Sequence, residues 1–111
     1  MDEQPPGIGD RDALAEIVRR IVRVAAPERI VLFGSAARGE AGPGSDLDLL
    51  VIKSGDYHCG RLTEEIYRSL IGVGRAVDVV VVTPKDVDRY RDSPALVIAS
   101  ALREGRVIYA V

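Results

Sequence analysis

Arg29-Ile30-Val31-Leu32-Phe33-Gly34-Ser35-Ala36-Ala37-Arg38-Gly39, followed shortly by Ser45-Asp46-Leu47-Asp48-Leu49-Leu50-Val51-Ile52, is the stretch on which the fold turns. Its first run is short, apolar and β-branched and stops at Gly34-Ser35, which reads as a buried strand. The small, polar residues 34 to 39 are expected to open a short helix, and Ala41-Gly42-Pro43-Gly44-Ser45 to turn the chain. The second run, 46 to 52, reads as another strand, in whose first half carboxylate and apolar side chains alternate. Alternation sends Asp46 and Asp48 to one face of the sheet and leaves Leu47, Leu49 and Val51 for the core.

Working outward, residues 1 to 9 hold two prolines and two glycines and are expected to form a flexible N-terminal tail, with a single domain over 10–111. A helical period begins at Asp10, with Leu14, Ile17, Val18, Ile21 and Val22 on one stripe and Arg19, Arg20 and Arg23 on a solvated face. Asp10 or Asp12 can cap its start, and Pro27 closes it. Toward the C-terminus, Thr63 to Val73 reads as a helix ended by Gly72 and Gly74, with Glu64-Glu65 in its acidic first turn. Ala76 to Val82 is the strongest strand signal in the chain. Thr83-Pro84-Lys85-Asp86 is a helix start, Ser93-Pro94 repeats the device, Gly105 stops the last helix, and Arg106 to Tyr109 reads as a closing strand. Helices and strands interleave without repeats or linkers, which gives the α/β (α+β) class.

Composition narrows what such a domain does. The chain has 111 residues, 47% of them hydrophobic and 29% charged, enough for one core. The formal charge of −2 lacks the basic footprint of a nucleic-acid binder and argues against direct nucleic-acid binding. All cations but Lys53 and Lys85 are arginine, so basic recognition here relies on planar, fork-shaped groups. A single cysteine, Cys59, excludes an internal disulfide and fits a reducing compartment. With no apolar run near the ~20 residues of a membrane span, a soluble cytoplasmic protein is expected. His58 and Cys59 have no second His or Cys to complete a metal site and read as loop residues before a helix. Tyr57, Tyr67, Tyr90 and Tyr109 form no stacking pattern for single-stranded RNA.

The chemistry lies in the carboxylates and the turn facing them. Asp78 interrupts a run that is otherwise apolar, where an acid is costly unless a cation or hydrogen bonds satisfy it. If its strand lies beside Asp46 and Asp48, three carboxylates make a hard-oxygen site suited to Mg²⁺, which keeps waters and recruits phosphates. Gly34-Ser35, directly after a strand, offers backbone N–H groups and a hydroxyl to an anion, and Arg38 can reach a phosphate bidentately. Each feature alone is more often a turn, a cap or a surface charge. Their combination favours a site.

Gly34-Ser35-x-x-Arg38-Gly39 followed by Ser45-Asp46-x-Asp48-Leu49 resembles the signature of polymerase-beta-type nucleotidyltransferases. The short chain and the ending Leu102-Arg103-Glu104-Gly105-Arg106-Val107-Ile108-Tyr109 are similar to the minimal, MNT-type branch, antitoxin partners of HEPN toxins. The resemblance implies a polymerase-beta-like fold, a small mixed sheet of three to four strands flanked by helices. It implies Gly34, Ser35, Arg38 and Ser45 at the nucleotide, and Asp46, Asp48 and Asp78 as metal ligands and catalytic acids. Further implications are two Mg²⁺, ATP as donor, and AMP transfer to a tyrosine hydroxyl of a HEPN toxin, which makes the protein the antitoxin of a type VII-like pair in a hetero-oligomer. Two alternatives stand beside this reading: neutralisation by binding alone, through the last two helices with Tyr90, Leu96 and Val97, or transfer to a free small molecule.

Overall fold

In the computed structural model, residues 6–37, 39, 46–93 and 97–111 are described here, with side chains from residue 12 onward. Eight elements follow in chain order: α1 (Pro6–Ala25), β1 (Arg29–Phe33), β2 (Leu47–Ile52), α2 (Cys59–Ser69), β3 (Val77–Val82), α3 (Pro84–Tyr90), α4 (Val97–Glu104) and β4 (Arg106–Ala110). The strands form one mixed sheet in the order β3-β2-β1-β4. β1 is antiparallel to both β2 and β4, whereas β2 and β3 are parallel and joined by the α2 crossover.

Alternation along the three long-run strands sorts their side chains into two cores. One face carries Ile30, Leu32, Leu49, Val51, Val79 and Val81 and packs under α1 and α2, which contribute Ile17, Ile21, Ala25, Leu62 and Ile66, with Leu70 just after α2. The opposite face carries Val31, Leu50, Ile52 and Val82 under α3 and α4, with Val87 and Ala101. Central β2, flanked by a strand on each side, is therefore apolar on both faces beyond Asp48.

Several elements depart from the sequence reading. α1 starts at Pro6 rather than Asp10, so Asp10 and Asp12 lie within the helix instead of capping it. Proline is tolerated there because the first helical residues have no intrahelical N–H bond to lose. α2 starts at Cys59, not Thr63, because the His58 imidazole acts as cap: Arg61 N–H donates to its Nδ1 at 3.1 Å. Imidazole is not among the preferred capping groups, which hid the start. Glu64 and Glu65 consequently sit mid-helix, not in the first turn. Arg20 is no idle surface charge either; it pairs with Glu16 at 2.7 Å, and its Nη1 donates to the carbonyls of Ser69 (3.1 Å) and Ile71 (3.0 Å), tying α1 to the end of α2. The start of α3 matches its expectation, a full capping box between Thr83 and Asp86 with proline in the first turn.

Two contacts fix the ends of the sheet. β3 is an edge strand, and the Tyr67 hydroxyl of α2 accepts the outward N–H of Val79 at 2.8 Å. At the α4–β4 junction, Gly105 passes so close to β1 that a Cβ would lie 2.6 Å from Val31 Cγ1 and 2.8 Å from the Leu32 carbonyl. Among the described residues, no helix is long and apolar enough to cross a membrane.

Candidate functional site

The parallel pairing of β2 and β3 puts Asp48 directly opposite Asp78. Paired strands lie about 4.8 Å apart and their register partners share a face, so the two carboxylates leave the sheet side by side. On the other flank of β2, Asp48 faces Phe33, the last residue of β1. Asp46, exposed, immediately precedes β2 at the same end of the sheet. The face is the one covered by α3 and α4, but those helices pack against Leu50, Ile52 and Val82 farther along and leave the aspartate end open.

Gly34 follows β1 with φ +77°, a left-handed conformation that glycine adopts without steric cost. A Cβ at this position would fall inside the contact shell of Asp48 Oδ2. Glycine thus has a role within the protein itself: the space where its side chain would be holds the Asp48 carboxylate. Ser35 comes next, half-buried, in a turn closed by Ala37 N–H donating to the Gly34 carbonyl at 3.1 Å. A further turn follows, from Gly39 N–H to the Ala36 carbonyl at 3.2 Å. The short helix expected from residue 34 onward is therefore replaced, through residue 37, by consecutive turns; left-handed Gly34 starts the segment outside helical geometry. Arg38, Ser45 and the expected turn 41–45 lie outside the described residues, as does Leu96.

Asp48 stands beside two other negative charges, surroundings that favour a cation. Its pKa is raised above the ordinary 3.8, first by burial and then by the negative charges of Asp78 and Asp46. Every influence on it pushes the same way, and among the described residues none of the three aspartates has an ion-pair partner. Among those residues, too, no three Asp, Glu, His or Cys side chains are drawn into a closed metal-holding group; the aspartates stand as neighbours along two strands. Hard carboxylate oxygens that repel one another suit Mg²⁺, which accepts one or two carboxylates plus water and phosphate oxygens rather than a full protein cage. The donor set fits that ion.

A family model described as nucleotidyltransferase domain matches residues 11–108. The chain belongs to that family. It is a nucleotidyltransferase, and its four-stranded mixed sheet flanked by four helices is the polymerase-beta-like fold. Among solved structures, the nucleotidyltransferase domain is similar to a Sulfolobus solfataricus protein designated a nucleotidyltransferase, with a TM-score of 0.65 and 21% identity over 99% of this chain and 92% of that one. It is also similar to a chain of a toxin–antitoxin structure with AMP-PNP, with a TM-score of 0.51 and 18% identity over 86% of this chain and 72% of that one. Both are likenesses of fold. A comparison with curated proteins gives no match.

The aspartates and the Gly-Ser turn are legible in the sequence; the packing of Gly34 against Asp48 is not. The signal was present, since a glycine ending a strand opposite an acid invites that question, but the pairing of β1 with β2 had to be known first.

Proposed function

We propose that this nucleotidyltransferase transfers AMP from ATP to a tyrosine hydroxyl of a partner HEPN toxin and is the antitoxin of that pair, an MNT-type protein working in the cytoplasm as one domain over 10–111. The observation that supports a transferase centre at this end of the sheet is the register of Asp48 against Asp78 with Asp46 close enough to raise the Asp48 pKa. The AMP-PNP in the structure of the toxin–antitoxin neighbour supports the adenine nucleotide and the toxin partner.

In this reading Asp46 and Asp48 hold Mg²⁺, with Asp78 beside them for a second ion. When bound, Mg²⁺ neutralises the triphosphate and lowers the pKa of the acceptor hydroxyl. Gly34 and Ser35 cradle the phosphates with backbone N–H groups and the Ser35 hydroxyl, and Arg38 and Ser45 complete the nucleotide side. The acceptor oxygen forms its bond to the α-phosphorus as the bond to pyrophosphate breaks, and Asp78 takes the hydroxyl proton. In-line positioning and charge neutralisation supply the rate; no covalent enzyme intermediate is needed.

The test is incubation of the full chain with labelled ATP, Mg²⁺ and the protein encoded by the neighbouring gene. The expected result is an AMP-sized mass increase on a tyrosine of that partner. Asp48→Asn should lower the rate about 10³-fold, because it removes several kcal/mol of charge stabilisation. Labelling of a free small molecule without the partner, or toxin neutralisation undiminished by Asp46→Asn with Asp48→Asn, would overturn the reading.

A further inference from the structure

The sheet face that carries the aspartates has a second charged end. Arg29 opens β1 in register with Ile52 and, by alternation, shares the face of Val31, Phe33 and Asp48. Along β1 it lies about 17 Å from Gly34. There, Arg29, Arg91 at the end of α3 and Arg103 in the last turn of α4 line one cavity of about 450 Å³. Its floor is apolar, formed by Val87, Ala99 and Leu102. A second hollow of about 320 Å³ shares Arg29, Val87 and Arg91 and extends the cleft toward Pro84 and Val111.

Neutralisation of these arginines is incomplete. Arg91 bonds Asp88 at 3.2 Å, an exposed pair of little energetic weight, and Asp92 adds one negative charge to the rim. Glu28, next to Arg29, is turned to Ser54 instead: its carboxylate accepts the Ser54 N–H at 2.8 Å and the Ser54 hydroxyl, and its pKa is lowered chiefly by that hydroxyl. Among the described residues, Arg29 and Arg103 have no ion-pair partner. Complementing helix dipoles accounts for Arg91 and Arg103 at the ends of their helices. It does not account for a strand residue, Arg29, joining them over an apolar floor.

We propose that this arginine cleft binds an organic phosphate, its phosphate held by the Arg29, Arg91 and Arg103 guanidiniums and its apolar part seated on Val87 and Leu102. Planar forks match phosphate oxygens bidentately; of the carboxylates around the cleft, Asp88 engages Arg91, Glu28 is turned to Ser54 and Asp92 lies on the rim, which leaves Arg29 and Arg103 for a phosphate. The volume suits a nucleotide-sized molecule. The site lies at the opposite end of β1 from the aspartates and is separate from the transferase centre.

Amide NMR of the full ¹⁵N-labelled chain in metal-free buffer, titrated with inorganic phosphate and separately with AMP, tests the proposal. Both should shift the amides of Arg29, Val87, Leu102 and Arg103 saturably, AMP with the lower Kd. Arg29→Gln with Arg103→Gln should weaken both about tenfold or more while the remaining amides keep their positions, and Arg103→Gln alone should fall between. Asp48→Asn should leave the cleft titration unchanged. The proposal is overturned if these amides do not saturate, if AMP binds no tighter than phosphate, or if the arginine variants bind equally well. It is equally overturned if polyglutamate or a single-stranded RNA shifts them and AMP does not.

Discussion

The two faces of the sheet are made by the same strands and differ in how completely they are covered. Under α1 and α2 the apolar residues run the length of β2, from Leu47 through Leu49 to Val51, and no carboxylate interrupts them. Under α3 and α4 the buried residues of β2 are Leu50 and Ile52, and beyond them, among the described residues, come half-buried Asp48 and exposed Asp78. Among the described residues, α3 and α4 have seven and eight residues, against 20 in α1, and cover a shorter length of their face. The first face is a closed apolar core, and the second leaves its carboxylates within reach of water or a cation. A carboxylate pair is affordable only where water or a cation reaches it.

That contrast can be broken most severely in the closed core. Ile66→Ala, at a fully buried position of α2, should cost about 2–5 kcal/mol, whereas Val87→Ala on α3 should cost about 1–2 kcal/mol. Urea unfolding of both variants checks it, and equal losses would mean the two faces are equally important to stability. Next, Gly34→Ala should cost about 1–2 kcal/mol through the left-handed backbone alone. It should also displace the Asp48 carboxylate, so nucleotidyl transfer falls even at temperatures where the variant is fully folded. Thermal melts and transfer assays on the same sample separate the two effects.

The smallest effect sharpens the comparison at the open end. Folding raises the Asp48 pKa, so its ionised form opposes folding, and stability drops as pH climbs from the ordinary value of 3.8 through the raised one. Asp48→Asn should therefore melt modestly higher than wild type at pH 7, with the gain vanishing below about pH 3.8, where both forms are neutral. Mg²⁺ should shrink the gain by stabilising wild type more than the variant. A variant less stable at neutral pH would show that the carboxylate has a favourable partner.

Much of the architecture was legible because its signals are local. Val77 to Val82 is β-branched almost throughout, and the Thr83-Pro84-x-Asp86 start carries its own hydrogen-bond partners. The errors were local too, but at positions where an unusual group does a common job. The imidazole of His58 caps α2, and the glycines at 7 and 9 sit within α1, although glycine lowers helix propensity. The turns after Gly34 resembled a helix start by composition and differ from one in backbone dihedral.

From the chain itself came the strand faces, the Asp-x-Asp pair at one strand start, and the Gly-Ser turn, since side-chain alternation and turn chemistry depend on neighbours a few residues apart. Tertiary structure alone decided that β3 lies parallel to β2 with Asp78 against Asp48, that the Asp48 carboxylate fills the space beside Gly34, and that three arginines line one cavity at the far end of β1. Strand order and register come from which apolar faces bury best against one another, a sum over contacts distant in sequence that no local pattern encodes.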